Sequence, residues 1–261
     1  MPNRIKDIPH AIDRLEALMD VLREQCPWDQ KQTLDSLRRY TLEEVHEVME
    51  AIDNEDMDTL KSELGDLLLQ IVFCARIASE KKYFSLHDIA TSITEKMIRR
   101  HPHIFDGAGI DDLSQQWHEI KDKEHQDRTS LMDGIPPLPA LAFAQKQQER
   151  ASRVGFDWNA AEDILAKIDE EVAEFSHEVR QGSDRERLED EFGDILFALV
   201  NLGRKLDMHA ELSLMRSNRK FEARFRIMET LADRKRILLS DLDLGALEAL
   251  YKEAKLINAT E

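Results

Sequence analysis

The sequence predicts an all-α protein built from two tandem four-helix bundles. The 261-residue chain has only 9 glycines and 7 prolines, with 42% hydrophobic and 34% charged residues. This composition suits packed helices better than a turn-rich sheet. Apolar residues recur at the i, i+3, i+4, i+7 spacing of one helix face. The same pattern returns about 127 residues later, which predicts a duplicated fold.

Four helices are expected in the first half, from the spacing of its apolar residues. They are predicted at residues 12–24, 34–52, 57–79 and 86–100. Thr33 and Asn159 are candidate N-caps of the helix that follows each of them. Glu162 lies three residues after Asn159 and so resembles the far end of a capping box. Short connections and one-sided apolar stripes predict that the helices of each half pack as a bundle.

The boundary between the two halves is predicted near a proline cluster. Prolines occur at positions 136, 137 and 139, and proline cannot continue a helix. A polar stretch at residues 117–125 precedes them and is expected to be helical. We therefore predict a first domain at residues 1–130 and a second at residues 131–261, each a helical unit of the same kind.

Charge and composition argue against several classes of partner. The formal net charge is −17, which disfavours binding to a nucleic-acid polymer or an anionic membrane. The two cysteines, Cys26 and Cys74, form no disulfide framework and no zinc-type spacing. No apolar run approaches the ~20 residues that span a bilayer. The first residues lack the apolar core of a signal peptide, so a cytoplasmic location is expected.

Two acidic motifs occur in order in each copy: EEVHE and ELGD in the first, EEVAE and EFGD in the second. Residues three and four apart share a helix face, so each copy places five carboxylates beside an apolar stripe. They are Glu43, Glu44, Glu47, Glu63 and Asp66, and then Glu170, Glu171, Glu174, Glu191 and Asp194.

Crowded carboxylates repel one another unless a cation lies between them. Ligands that are all oxygen suit Mg²⁺ or Mn²⁺, and Mg²⁺ commonly shares its shell with substrate phosphates. The alternative is that each motif is a solvated acidic helix face. Because both motifs recur in the same order beside similar apolar stripes, metal binding is the favoured interpretation.

Two other pairs of residues recur with the motifs. Trp28 and Trp158 precede the first acidic helix of each copy and are expected to anchor the two bundles. Gly65 and Gly193 each precede the aspartate of the second motif. A glycine inside a helix lowers helix propensity by about 1 kcal/mol relative to alanine, so these glycines are expected to permit close approach of helices.

The pattern EExxE, a gap, then ExxD resembles the signature of the MazG family of all-α nucleoside triphosphate pyrophosphohydrolases. The stretches YTLEE, GDLL, RRHPH, VGFDW and KFEARF extend the resemblance over nearly the whole chain. It implies Mg²⁺-dependent hydrolysis of ribo- and deoxyribonucleoside triphosphates to the monophosphate and pyrophosphate. It also implies a helical homodimer.

The resemblance assigns roles in the second copy. Its metal ligands would be Glu171, Glu174, Glu191 and Asp194. Glu170 would support them or act as the base that orients water, so the catalytic set is Glu170, Glu171 and Glu174. The substrate-binding candidates are Lys167, Arg187, Asp190, Lys220, Arg224 and Tyr251. Tyr251 is a candidate for base stacking, although an aromatic residue at helical spacing more often packs in a core.

The two copies differ in their cations. The positions that match Lys167 and Arg187 are Tyr40 and Thr59 in the first copy. The second domain is therefore predicted to be the principal catalytic site, with the first as a second possible metal site or a scaffold. The alternative function is a nucleotide- or partner-binding regulatory protein that holds metal without turnover. A ferritin-like di-iron site, which takes Glu-x-x-His ligands on facing helices, is a third and disfavoured alternative.

Overall fold

The computed structural model describes residue 5, residues 8–107 and residues 129–258, and within these ranges it contains helices and no strand. The chain divides into two compact units, Met1–Gln126 and Asp127–Glu261. The predicted helical stretch at residues 117–125 lies outside the described residues. Within the described ranges, every helix is too short or too polar to be a transmembrane span.

The first unit contains five described α-helices, and the four predicted ones are confirmed to within one residue at each end. Their bounds are α1 Ala11–Gln25, α2 Leu34–Asp53, α3 Met57–Glu80, α4 Leu86–Arg100 and α5 Pro102–Phe105, with a 3-10 turn at Asp29–Lys31. The helix α3 packs against α1, α2 and α4. The buried core joins α1, α2 and α3 through Met19, Leu37, Val72, Phe73 and Ile77.

Local hydrogen bonds explain where α2 and α3 begin. Thr33 Oγ1 accepts from Ser36 N at 3.1 Å, and Ser36 Oγ accepts from Thr33 N at 2.9 Å, so the predicted N-cap is confirmed. Asp56 caps α3 by accepting from Thr59 N at 3.0 Å. Each cap satisfies backbone N–H groups that have no partner in the first turn of the helix.

The second unit is built mainly from two helix pairs. Its helices are α6 Ala140–Ser152, α7 Ala161–Gln181, α8 Arg185–Lys205, α9 Ala210–Lys235 and α10 Leu244–Asn258, with a 3-10 turn at Leu239–Asp241. The helices α7 and α8 pack along each other, α9 packs on α10, and α6 lies against α8. The core between α9 and α10 consists of Met228, Leu231, Ala232, Leu250 and Ala254.

The connection between α7 and α8 is short enough to make them an antiparallel hairpin. Gly182 ends α7 in the left-handed region, with φ of 69°, a conformation that glycine adopts without a Cβ clash. Asp184 then caps α8 by accepting from Arg187 N at 3.0 Å. This tight turn brings the acidic stretch of α7 beside that of α8.

The predicted N-cap of α7 is wrong by one residue. The helix begins at Ala161, and its N-cap is Ala160 rather than Asn159. The carboxylate of Asp163 accepts from Ala160 N at 3.1 Å. A shift of one residue puts Asp163, not Glu162, three positions after the cap, where a side chain can reach back to the N-cap backbone.

Two further expectations from the sequence are also wrong. Trp28 and Trp158 are 50% and 41% exposed, so neither is buried in a bundle core. Trp28 contacts the Tyr40 ring edge-on, with the centroids 5.8 Å apart. A Cβ built on Gly65 or Gly193 meets no atom within 4 Å, so close helix packing within a unit does not require these glycines.

Apolar side chains remain exposed along the acidic helices. On α3 they are Met57, Leu64 and Ile71, and on α8 they are Phe192, Leu196 and Leu199. Each set follows a helical spacing, so each forms a stripe rather than scattered contacts. The unit that contains α8 therefore has an apolar helix face that its own described residues leave uncovered.

Candidate metal and nucleotide site

Three carboxylates meet where α7 packs on α8. Glu171 of α7 and Glu191 and Asp194 of α8 each offer an oxygen within 4.8 Å of the other two. Glu171 and Glu191 are only 7% and 5% exposed. Acidic side chains are almost never buried unless something compensates their charge. Because Glu171 and Glu191 are both buried in the same cluster, we expect positively charged groups close to them.

Two basic side chains supply part of that compensation. Lys167 Nζ lies 2.9 Å from Glu171 Oε1 and 3.1 Å from Glu170 Oε1. Arg187 Nη2 lies 2.7 Å from Glu191 Oε1. Each cation stands four residues before the buried carboxylate that it contacts, so each pair forms within a single helix. Hydrogen bonds to Glu171 and Glu170 raise the pKa of Lys167 above its ordinary range.

The first unit repeats the acidic cluster without these cations. Oxygens of Glu44, Glu63 and Asp66 lie within 4.8 Å of one another. Burial and the neighbouring carboxylates raise the pKa of both Glu44 and Glu63 above the ordinary value. A hydrogen bond with Gln70 acts in the opposite direction on Glu44. Among the described residues, these carboxylates have no ion pair that corresponds to those of Lys167 and Arg187.

The residues that replace the cations explain this difference. Tyr40 occupies the position of Lys167 and packs against the core of the first unit. Thr59 occupies the position of Arg187, and its hydroxyl donates to Asp56 at 2.7 Å. Neither side chain carries a positive charge. The two units thus share a carboxylate arrangement but differ in its charge balance.

The third glutamate of each EExxE motif does not join the three-carboxylate cluster. Glu174 is exposed and borders a cavity of about 410 Å³ next to the cluster. The other residues around this cavity are Glu170, Ala173, His177, Glu178 and Arg187. Glu43 and Glu47 likewise lie outside the three-carboxylate group of the first unit, although the charge of Glu47 contributes to the raised pKa of Glu44 and Glu63.

Glu178 is a member of this site that the motif-based prediction missed. It lies 3.6 Å from Arg187 Nε and accepts from Ser183 Oγ at 2.5 Å. The Ser183 hydrogen bond and the charge of Arg187 lower the pKa of Glu178. Glu178 stands seven residues after Glu171, so both lie on the same helix face. This spacing could have identified Glu178 as a site residue from the sequence.

The remaining substrate-binding candidates are not members of the three-carboxylate cluster. Asp190 is exposed on α8, directly before Glu191, and Lys220 is exposed on α9. Arg224 borders a separate cavity of about 350 Å³ together with Lys252, Lys255, Leu256 and Asn258. Tyr251 packs against the core between α9 and α10, with its ring centroid 6.0 Å from that of Phe221. Its environment is that of a packing residue.

The donor set of the acidic cluster fits a hard divalent cation. All of its ligand atoms are carboxylate oxygens, which suit Mg²⁺ and Mn²⁺ rather than softer metals. With three protein carboxylates, the cluster leaves positions for water or for phosphate oxygens, as Mg²⁺ prefers. The neighbouring Lys167 and Arg187 add charge of the sign that a polyphosphate requires.

A family model matches both halves of the chain. The family model described as the MazG nucleotide pyrophosphohydrolase domain matches two segments, residues 32–105 and 159–226. Each segment contains one acidic cluster. A mazG-related protein of Thermotoga maritima with a known crystal structure is 26% identical and covers 42% of this chain and 98% of its own, with a TM-score of 0.38.

Two relatives are similar over nearly their full length. The nucleoside triphosphate pyrophosphohydrolase of Escherichia coli (strain K12) is 42% identical over 94% of this chain and 97% of its own. The nucleoside triphosphate pyrophosphohydrolase/pyrophosphatase MazG of Thermotoga maritima is 42% identical over 96% of this chain and 98% of its own. With two family domains and relatives that match over nearly the whole length, this chain belongs to the MazG nucleotide pyrophosphohydrolase family.

Proposed function

We propose that the protein is an Mg²⁺-dependent nucleoside triphosphate pyrophosphohydrolase, which converts ribo- and deoxyribonucleoside triphosphates to the monophosphate and pyrophosphate. One observation carries the proposal: Glu171, Glu191 and Asp194 converge beside Lys167 and Arg187. Carboxylates for a divalent cation and side-chain cations for phosphates are the parts that phosphoryl-transfer chemistry requires.

The proposed metal ligands are Glu171, Glu191 and Asp194, and Glu174, at the rim of the neighbouring cavity, would be the fourth residue to hold the ion. When bound, Mg²⁺ or Mn²⁺ would neutralise phosphate charge and favour deprotonation of water. Within the protein, the burial of Glu171 and Glu191 fixes two of the ligands in a water-poor environment. Charge interactions are stronger there than in bulk water.

The side chains around the cluster have distinct proposed roles. Lys167 and Arg187 would hold the phosphate oxygens and stabilise the charge of the departing pyrophosphate. Glu170 is exposed and borders the cavity next to the cluster, and we assign to it the proton of the attacking water. The water oxygen bonds to the α-phosphorus while the bond from that phosphorus to the bridging oxygen breaks. The electron pair leaves with pyrophosphate.

Further substrate contacts are proposed on α8 and α9. Lys220 and Arg224 stand four residues apart, so both project from one side of α9; although neither borders the cavity beside the acidic cluster, we propose that their positive charge attracts the triphosphate. Asp190, which directly precedes Glu191 on α8 and is exposed, is proposed to contact the nucleotide or its hydration shell. The packing of Tyr251 against the α9–α10 core supports a structural role for that residue.

We assign catalysis to the second domain, residues 131–261, and a supporting role to the first, residues 1–130. The first unit has the carboxylates Glu44, Glu63 and Asp66, which support a second metal site. It lacks cations at Tyr40 and Thr59, so a triphosphate would find less positive charge there.

We also propose that the protein is a homodimer. The exposed stripe Phe192, Leu196 and Leu199 on α8 is an apolar face of the kind that a second copy would cover. Light scattering coupled to gel filtration should report twice the chain mass. Leu199→Arg should shift the protein toward the monomer, whereas Leu238→Arg, at an exposed position off the stripe, should not. A monomeric wild-type protein would refute this assignment.

Product analysis with a panel of nucleoside triphosphates and Mg²⁺ tests the activity. We expect pyrophosphate and the monophosphate, loss of turnover in Glu171→Gln, and retention of turnover in Glu44→Gln. The opposite result would move catalysis to the first unit. Orthophosphate with the diphosphate would show that a different bond is cleaved. Metal binding without any product would instead support a regulatory, nucleotide-binding function.

A further inference from the structure

A chain of polar contacts joins the turn between α7 and α8 to the acidic cluster. Ser183, in the turn, donates its hydroxyl to Glu178 Oε2 at 2.5 Å. Glu178 Oε1 forms an ion pair with Arg187, 3.6 Å from its Nε. Arg187 Nη2 in turn lies 2.7 Å from Oε1 of the buried Glu191. Four side chains thus connect the turn to a proposed metal ligand.

Arg187 is held at its backbone and at its side chain. Its backbone N donates to Asp184 at 3.0 Å, which fixes the residue in the first turn of α8. Its guanidinium pairs with one carboxylate of each helix, Glu178 on α7 and Glu191 on α8. These pairs engage Nε and Nη2, and a guanidinium has five N–H groups. Donors therefore remain for a phosphate oxygen in the cavity next to the cluster, which Arg187 borders.

Glu178 is suited to hold a more mobile cation in place. Its side chain is 20% exposed, whereas that of Arg187 is 56% exposed. The Ser183 hydrogen bond, together with the charge of Arg187, lowers the pKa of Glu178, so this carboxylate stays charged near neutral pH. A long, half-exposed side chain loses much rotamer freedom when it is ordered. An anion that orders it before the substrate arrives reduces that cost during binding.

The first unit lacks this arrangement. The shift of about 127 residues between the copies matches Glu178 with Ala51, and Thr59 stands at the position of Arg187. Ala51 is buried and carries no polar group. The unit that has no guanidinium at this place therefore also has no carboxylate to hold one, although its acidic cluster is kept. This joint difference supports a functional link between Glu178 and Arg187.

We propose that Glu178, fixed by Ser183, is a positioning residue that keeps the Arg187 guanidinium beside the acidic cluster, where it contacts the phosphate chain of a nucleoside triphosphate. Glu178 itself does not touch the substrate. Its own negative charge would repel a phosphate, so it favours binding only through Arg187. The inference rests on the proposed function, because it takes a polyphosphate as the ligand.

Glu178→Gln removes the charge and nearly keeps the size of the side chain, so the positioning role and simple repulsion predict opposite results. The test is calorimetric titration of the full-length protein with inorganic tripolyphosphate in the presence of Mg²⁺. If Glu178 positions Arg187, Kd should rise about fivefold, the upper end of what an exposed ion pair contributes. If Glu178 only repels phosphate, Kd should fall. In steady-state kinetics, kcat/KM for ATP should decrease by a similar factor.

The Arg187→Ala background shows whether the effect passes through the guanidinium. In that background Glu178→Gln should no longer weaken tripolyphosphate binding, and the loss of a negative charge should leave Kd unchanged or lower. A merely structural role of Glu178 would weaken binding in both backgrounds. Ser183→Ala is a second variant, which keeps the ion pair but removes the hydrogen bond. It should raise Kd in the same direction by a smaller factor, and Ser183→Thr, which keeps a hydroxyl, should restore the affinity.

Glu189→Gln is the matched control. Glu189 also pairs with an arginine of α8, Arg185, at 2.5 Å, but neither residue is among those around the cavity. This variant should leave Kd for tripolyphosphate unchanged. The inference would be overturned if Glu178→Gln bound tripolyphosphate as tightly as the wild type or more tightly. It would also be overturned if Glu189→Gln reproduced the loss.

The proposed function and the positioning role fail in different ways. If the wild-type protein forms no pyrophosphate from any nucleoside triphosphate, the activity is wrong, and the Kd of tripolyphosphate still measures the effect of Glu178→Gln. Normal turnover together with an unchanged Kd in Glu178→Gln would overturn the positioning role alone. A wild-type protein that does not bind tripolyphosphate in the presence of Mg²⁺ would overturn it as well.

Discussion

The ion pair between Asp157 and Arg204 offers a quantitative test of how the second unit is held together. The side chains are 22% and 12% exposed, so the pair lies between a surface ion pair, which contributes under ~1 kcal/mol, and a buried one, whose disruption costs about 3–5 kcal/mol. Asp157→Ala would leave the Arg204 guanidinium largely desolvated and without its charged partner. We therefore expect a destabilisation of about 2 kcal/mol for the second unit.

The same contact predicts a dependence on pH. Although partial burial opposes ionisation, the hydrogen bonds and charges of Arg204 and Lys205 hold the pKa of Asp157 below its ordinary value of 3.8. A carboxyl group with a depressed folded-state pKa contributes stability that is fully present above its unfolded value and is lost as pH falls through the folded value. The difference between the wild-type protein and Asp157→Ala should therefore be constant near neutrality and shrink below pH 3.8.

Scanning calorimetry measures this effect. For a unit of this size, 2 kcal/mol corresponds to a decrease in Tm of about 6–10 °C. Glu248→Ala, at an exposed position on α10, is the control and should stay within about 0.5 kcal/mol of the wild type. A decrease below 2 °C for Asp157→Ala, or a decrease that the exposed control reproduces, would refute the reasoning.

Three further results are expected. Leu37→Ala, at a position 1% exposed, should destabilise the first unit to denaturant by about 2–5 kcal/mol, whereas Leu42→Ala on the exposed face should have little effect. Glu63→Gln should raise the Tm of the first unit in EDTA at pH 7, because it removes a carboxylate whose pKa burial and neighbouring acids raise. The gain should fade as pH falls toward the ordinary value of 4.5, because the folded carboxyl takes up its proton at a higher pH than the unfolded one. Mg²⁺ at ten times its Kd should stabilise the second unit by about 1.4 kcal/mol, and Glu171→Gln should abolish that shift in a thermal melt.

The helices were predictable because their determinants are local. The spacing of apolar residues located α1 to α4 to within one residue, and the hydroxyl of Thr33 located the start of α2. The convergence of the acidic motifs was also predictable, since both lie at fixed positions beside apolar stripes. The one-residue error at Asn159 arose because two neighbouring acids, Glu162 and Asp163, could each serve as the reach-back residue.

The features that the sequence did not reveal depend on how helices dock. Gln148 lies in the polar run QKQQER, which looks like a solvated helix face, and only the packing of α6 on α8 buries it. Trp158 was expected to anchor its bundle because a tryptophan precedes the first acidic helix in both copies, yet Asp157 holds its segment against α8 at the surface. Gly193 was expected at a close contact, but no neighbour within its unit approaches it.

The placement of Lys167 and Arg187 on the same helices as Glu171 and Glu191 has a consequence for the order of folding. Contacts four residues apart form as a helix forms, before distant helices meet. When α7 docks on α8, the charges of Glu171 and Glu191 are therefore already neutralised by Lys167 and Arg187. Among the described residues of the first unit, the acids of the cluster have no ion pair within their own helix of the kind that Lys167 and Arg187 form. The docking of α2 on α3 should therefore be slower at low ionic strength and accelerate when salt screens the repulsion.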